Sequence, residues 1–259
     1  MRILLSNDDG INAQGLAALE EIAADLSDDV WTVAPEQDSS GMARSITLTR
    51  PLRIRKVAER RFAVDGTPTD AVQLGVHQIL KDHRPDLILS GVNNGQNIAE
   101  DVTMSGTIAA AFQGMTLGIP SVALSLSRFD RHAVRWQCAA EWGPRVLETL
   151  LAEGWPGDVV VNVNFPDCEP GEVEGVAVTR QGRRENLELF AEERTDLRQR
   201  RYYWFGFGQG EQDPPEGTDV HAIAHRLVSV TPLHLSLTHE DSLRALTARF
   251  AGARAGAAG

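Results

Sequence analysis

The chain of 259 residues is poor in cysteine, with only Cys138 and Cys168, which stand far apart and show no zinc-ligand spacing. They read as free thiols of a reducing compartment. No run of about 18 apolar residues is present, which excludes a transmembrane helix. Arg2 directly precedes a short strand-like run, so no signal peptide is expected and a cytoplasmic protein with no membrane partner is. Positive charge is also scarce. Lys and Arg number 25 against 36 Asp and Glu, a formal net charge of -11. A duplex nucleic-acid binder carries a basic face, so the acidity argues against that role. It leaves open a small phosphorylated ligand, which backbone N–H groups and a metal can hold. The seven histidines are scattered without an HExxH motif and read as surface or core residues, and the five tryptophans read as packing. No internal repeat is apparent.

What is present is a core. Hydrophobic residues make up 42% of the chain, enough for one large α/β domain or a domain with an appendage. Short apolar runs at 2–6, 30–34, 86–90, 120–125 and 159–164 alternate with helical patterns at 13–26, 68–81, 105–117 and 131–152. Leu16, Leu19, Ile22, Ala23 and Leu26, for example, recur at helical spacing. The alternation predicts an α/β fold, a mainly parallel sheet with helices on both faces. Ile46–Leu48, Leu52–Ile54 and Phe62–Val64 read as shorter antiparallel pieces attached to it. After Pro166 the texture changes. Strands are expected at 175–179, 201–205 and 228–231, and a last helix at 239–250. The reading divides the chain into a core over 1–179, an extension over 180–250 and a disordered tail over 251–259. The extension reads as a protruding hairpin that packs on another subunit, or as a long surface excursion.

Four strand-end loops carry small polar groups. The first, Asn7-Asp8-Asp9-Gly10, sets two carboxylates side by side. Such a pair is costly to bury alone and is relieved by a hard divalent cation. The second runs from Pro35 through Ser39-Ser40-Gly41. The third, Ser90-Gly91-Val92-Asn93-Asn94-Gly95-Gln96-Asn97, offers glycine freedom and two amide side chains, or is simply a turn. The fourth, Ser105-Gly106-Thr107, opens a helix, where unsatisfied N–H groups suit an anion, or where Ser105 merely caps. Open α/β sheets bind ligands at the carboxyl ends of their strands, so the four loops converge on one edge. Their groups are all oxygen donors without His or Cys, which favours Mg²⁺ or Mn²⁺ over zinc.

Taken in order, these loops resemble a known family. The sequence adds Gly66-Thr67-Pro68-Thr69-Asp70, Thr179-Arg180, Tyr203-Trp204, Gly217-Thr218-Asp219 and Val228-Ser229-Val230-Thr231-Pro232-Leu233. The set is similar to the stationary-phase survival protein SurE family of divalent-metal-dependent nucleoside monophosphate phosphatases. The resemblance implies a Rossmann-like sheet whose C-terminal β-hairpin extension and final helix assemble homodimers or homotetramers. It implies one divalent cation per subunit, Mg²⁺ or Mn²⁺, on Asp8, Asp9, Ser40 and Asn93. Ser40 rather than Ser39 is the aligned serine, counted from both flanks of the loop. Asn97, Ser105, Gly106 and Thr107 fall on the phosphate side, and Asp8, Asp9 and Asn97 are the implied catalytic residues. The activity implied is 5'-nucleotidase, with 3'-nucleotidase and exopolyphosphatase action as family extensions. Gln96 replaces a usual proline, Ser39 a common basic residue, and Ala224-His225-Arg226-Leu227 an acidic-glycine-tyrosine pattern.

Two mechanisms fit these residues. A water activated by the metal attacks phosphorus, or Asp8 attacks as a nucleophile, which ranks lower because a metal-held carboxylate is a poor free nucleophile. A non-catalytic phospholigand sensor would use the same groups. A nicotinamide-dependent oxidoreductase is disfavoured, because the first turn lacks GxGxxG and carboxylates there repel a pyrophosphate.

Overall fold

The computed structural model describes residues 1–128, 133–152, 154–184, 189–207 and 214–255. The start of the helix expected over 131–152, part of the turn-rich stretch at 208–213 and the last four tail residues lie outside these. Eleven strands and six α-helices follow in the order β1 (Arg2–Ser6), α1 (Gln14–Leu26), β2 (Asp29–Pro35), β3 (Ile54–Ala58), β4 (Arg61–Val64), α2 (Pro68–Leu74), β5 (Leu87–Asn94), α3 (Gly106–Thr116), β6 (Ser121–Leu126), α4 (Trp136–Ala152), β7 (Val160–Phe165), β8 (Gly175–Val178), β9 (Leu189–Thr195), β10 (Arg201–Phe207), α5 (Asp219–Ala224), β11 (Leu227–Leu233) and α6 (Glu240–Ala255) among the described residues.

Nine strands form one sheet in the order β3-β4-β2-β1-β5-β6-β7-β11-β8. The six from β4 to β7 in that order are parallel to one another. The expected α/β architecture is thus the one observed. Strand side chains alternate between faces. Ile3 and Leu5 pack with Leu16, Leu19 and Ile22 of α1 and with Leu147 of α4. Leu4, between them in sequence, packs on the opposite face with Ala71 and Val72 of α2 and Ala110 of α3. The chain leaves β1 toward β2 on one side and returns to β5 on the other. The switch point of the sheet therefore lies between β1 and β5, where α/β sheets form their ligand crevice.

Several local expectations need correction. Ile46–Leu48 is not a strand. Its neighbourhood is tied to the start of α2 instead: Thr47 N–H donates to Asp70 Oδ1 at 3.1 Å and Thr67 Oγ1 donates to the Ser45 carbonyl at 2.8 Å. Thr67 and Asp70 also cap α2 reciprocally. β4 is antiparallel to β3 but pairs parallel with β2, so it belongs to the main sheet. The helix expected over 68–81 is α-helical only to Leu74 and continues as a π turn over Gly75–Ile79. β9 supplies the second strand of the hairpin that was one of the two readings of the extension, whereas α5 was not expected. β9 pairs antiparallel with β10 as a separate two-stranded sheet. α6 runs to Ala255, beyond the point where a disordered tail was expected to begin.

Candidate active site

β1 delivers the chain to the switch point and ends in a closed turn. Asn7 is buried, and its Nδ2 donates to the Gly10 carbonyl at 2.9 Å. Asp8, only 4% exposed, and the half-buried Asp9 are held over the strand ends by that turn. Asp8 meets the N-terminus of α3. Thr107 Oγ1 donates to Asp8 Oδ1 at 2.5 Å. Gly106 makes the approach possible, since a Cβ there would lie 2.7 Å from Asp8 Cβ and 2.9 Å from Oδ2. Ser105 accepts the Ile108 N–H at 3.1 Å, so it caps the helix as expected of a serine there. The helix end and its dipole face the carboxylate.

Burial pushes the Asp8 carboxyl upward, and the Thr107 hydroxyl and N–H groups oppose this only in part. Asp9 is pushed up to about 6, first by burial and then by the charge of Asp8, against one N–H from Asn94 at 3.3 Å. Asp38 adds repulsion to both. Neither Asp8 nor Asp9 has a salt-bridge partner among the described residues. Two adjacent carboxylates without a cationic side chain, met by the Thr107 hydroxyl and the Asn94 N–H, are a donor set that fits a hard divalent cation. No group of three His, Cys, Asp or Glu side chains converges among the described residues, so amides, hydroxyls or water would complete the shell.

The other loops contribute unequally. The register of β5 against β6 shifts between Ser90 and Asn93, a bulge that re-aims the strand end. Gly91 is required there, with φ of 142° and no space for a Cβ, which would fall 2.2 Å from the Leu124 carbonyl oxygen. Asn93 Nδ2 donates to the Gly95 carbonyl at 2.9 Å, which leaves its amide oxygen as the group for a cation. Asn97 is buried and its Nδ2 donates to Ser125 Oγ at 2.8 Å. One of its two amide hydrogens is therefore already committed. Ser40 is exposed and is not drawn to the carboxylate pair. Both its N–H, at 2.8 Å, and its hydroxyl, at 2.6 Å, donate to Asp38 Oδ1. Ser39 is tied to the site through its backbone, with its N–H on the Asp8 carbonyl at 2.8 Å.

Sequence reasoning passed over three groups that build this site. Asp38 lies within the loop from Pro35 to Gly41 and was given no role of its own. Asn162 and Asn164 hold the Asn97 loop from β7: Asn97 N–H donates to Asn164 Oδ1 at 2.8 Å, and Asn162 Nδ2 donates to the Asn97 carbonyl at 2.8 Å. Two asparagines at alternate positions of an otherwise apolar buried strand were the available signal. Asp219 holds the next turn, with Oδ2 accepting the Ala99 N–H at 3.0 Å and Oδ1 the Gly182 N–H at 2.7 Å. Its motif was recognised without a role.

Comparison with known proteins supplies the family. The family model described as survival protein SurE matches residues 3–188. A 5'-nucleotidase SurE of Phenylobacterium zucineum is 53% identical over 253 residues, covering 98% of each chain. One from Methylorubrum extorquens is 54% identical over 252 residues, covering 96% of this chain and 99% of its own. The crystal structure of the SurE protein from Aquifex aeolicus superposes with a TM-score of 0.80 at 39% identity, covering 95% of this chain and 98% of that one. A strand-end carboxylate pair clamped to a helix N-terminus, on this sheet order and with these relatives, places the chain in the SurE family.

Proposed function

We propose that this protein is a divalent-metal-dependent 5'-nucleotidase that hydrolyses nucleoside monophosphates to nucleoside and phosphate. The observation that carries the reading is the clamp of Asp8 against Thr107 and Gly106 at the N-terminus of α3. It sets an anion-binding helix end beside a carboxylate pair that needs a cation. The curated relatives that bear the name 5'-nucleotidase add the substrate class.

Asp8, Asp9 and the Asn93 amide oxygen would hold Mg²⁺ or Mn²⁺, one per subunit, and Ser40 would join after releasing Asp38. When bound, the cation supplies Lewis-acid polarisation of a phosphoryl oxygen. The N–H groups at the start of α3, with the Ser105 hydroxyl and the second amide hydrogen of Asn97, stabilise charge on the equatorial oxygens. Thr107 keeps Asp8 in one rotamer, which fixes where the phosphoryl group lies. A carboxylate of the pair orients the attacking water and takes its proton at an Oδ atom as the new P–O bond forms, while the P–O bond to the nucleoside breaks and the departing oxygen takes up a proton from solvent. An in-line water attack suits this arrangement better than attack by Asp8, whose Oδ1 is occupied by the Thr107 hydroxyl.

The core over 1–179 carries these groups, and the extension over 180–250 is read as the assembly element of a homodimer or homotetramer. The exposure of Tyr203, Trp204 and Phe205 on β10 supports this. A cytoplasmic location suits two buried, unbridged cysteines. The test is phosphate release from a panel of nucleoside monophosphates with Mg²⁺, Mn²⁺ or chelator. Turnover that stops on chelation and resumes on adding metal is expected. Tight nucleotide binding without any phosphate release would favour a sensor instead.

A further inference from the structure

α5 lies beyond the segment matched by the family model, and two histidines four residues apart mark it, His221 within the helix and His225 as the cap just past its last residue. Helical i, i+4 histidines stand on one face and are a recurrent metal-chelating pair. Their rings lie 4.0 Å apart between centroids, nearly parallel, on the half-buried to exposed side of the helix. His225 Nδ1 lies 2.9 Å from the His221 carbonyl oxygen. A carbonyl only accepts, so Nδ1 of the neutral ring carries the hydrogen and Nε2 carries the lone pair. A hydrogen bond of this kind on the far nitrogen is how metal-binding histidines are oriented. The ring nitrogens of His221 make no hydrogen bond among the described residues. The adjacent Arg226 lies 3.7 Å from Glu172.

We propose that His221 and His225 form a two-imidazole chelate for a borderline divalent transition metal such as Ni²⁺, Zn²⁺ or Cu²⁺. It is separate from the oxygen-only site at Asp8 and Asp9 and independent of the function argued for that site. Imidazole nitrogen selects these ions over Mg²⁺ and Mn²⁺. No third His, Cys, Asp or Glu joins the pair among the described residues, so the remaining positions belong to water. With His225 held through its Nδ1, the His221 ring, whose nitrogens make no hydrogen bond among the described residues, would turn about its side-chain torsions to bring one nitrogen toward an ion on His225 Nε2. The site has a structural consequence. α5 begins at Asp219, whose carboxylate holds the Ala99 and Gly182 N–H groups. A cation across the two rings would therefore brace the segment whose Asp219 holds the turn at Ala99.

The experiment titrates Ni²⁺ into the full chain by calorimetry, with the oxygen site saturated by Mg²⁺, and repeats it in the D8N/D9N double variant. One Ni²⁺ per chain is expected in both. His221→Ala or His225→Ala should weaken binding on the order of 100-fold, the loss expected when a second linked ligand is removed. Cu²⁺-loaded wild type should show nitrogen hyperfine splitting from two imidazoles, reduced to one in either variant. Circular dichroism melts check that the variants fold, and His225→Gln serves where the alanine does not. Binding that is absent in wild type, or equally tight after both histidines are replaced, overturns the proposal.

Discussion

At the residue scale the site turns on two carboxylates that nothing cationic in the described chain offsets. The direction of the Asp9 shift has a consequence for stability. Its carboxyl moves from 3.8 to about 6 on folding without metal. Below 3.8 it is protonated in both states and costs nothing. As pH rises toward 6, the unfolded chain ionises first and folding stability falls, and above 6 the full penalty applies. Asp8 shifts in the same direction. Asp9→Asn should therefore raise the Tm of the metal-free protein well above pH 6 and change it little near pH 4, while it abolishes most turnover. A lower Tm for the variant at the higher pH would contradict this. Thr107→Val keeps the shape and removes the hydroxyl that steadies Asp8. A hydrogen bond to a charged group contributes about 1.5–3 kcal/mol, so kcat/KM should fall about 10- to 100-fold. Wild-type kcat/KM in that variant would remove Thr107 from the positioning role. Ser40→Ala should raise the metal concentration that gives half-maximal activity, and Ser39→Ala should leave it near wild type. The opposite order in a metal titration would show that the serine with the free backbone contact to Asp8 is the one that matters.

At the scale of the elements, the site is built by loops that later parts of the chain hold in place. α5 is short and was not foreseen, because six residues cannot display a helical period. Its first residue accounts for its presence. Asp219 is fully buried, and its carboxylate accepts N–H groups from Ala99, Gly182 and Val220. Asp219→Ala leaves three donors without this acceptor, each costing about 1–3 kcal/mol where water cannot reach it. Destabilisation of at least about 3 kcal/mol in urea unfolding is the expected result. A loss under about 1 kcal/mol would mean that the turn at Ala99 holds itself. The asparagines of β7 act similarly on Asn97 from the other side. α3 itself was legible in advance: Ser105 before a small apolar run marks the start, and the structure begins the helix at Gly106.

At the scale of the whole molecule, two pieces stand apart from the core. The β9–β10 hairpin is a sheet of its own and exposes Tyr202, Tyr203, Trp204 and Phe205. α6 exposes Leu243, Leu246 and Phe250. A lone hairpin is marginal in water, and so is a lone helix of this length, which makes both the natural candidates for the assembly contact proposed above. Replacing Leu189–Phe207 with a short linker is expected to give smaller particles by sedimentation while cation binding at Asp8 and Asp9 persists. The cut stops short of α5, because removal of Asp219 would disturb the site for a different reason. A trimmed protein of unchanged assembly size would rule the hairpin out as the main contact.

The parallel sheet, its two helical faces and the convergence of four loops were readable in the sequence. The cause is periodicity: Ile3, Leu4 and Leu5 alternate between faces, and Leu16, Leu19 and Ile22 repeat at helical spacing, whatever the chain does elsewhere. The order of motifs identified the family for the same reason, since each short motif keeps its local backbone requirement. Tertiary structure alone decided which polar groups meet. Thr107 lies 99 residues from Asp8, and Asp219 lies 120 residues from Ala99. Tertiary structure also set β4 parallel to β2. Local pattern records which face of an element is buried. It carries no information about the distant donor or acceptor that satisfies a buried polar group, which depends on where the chain returns.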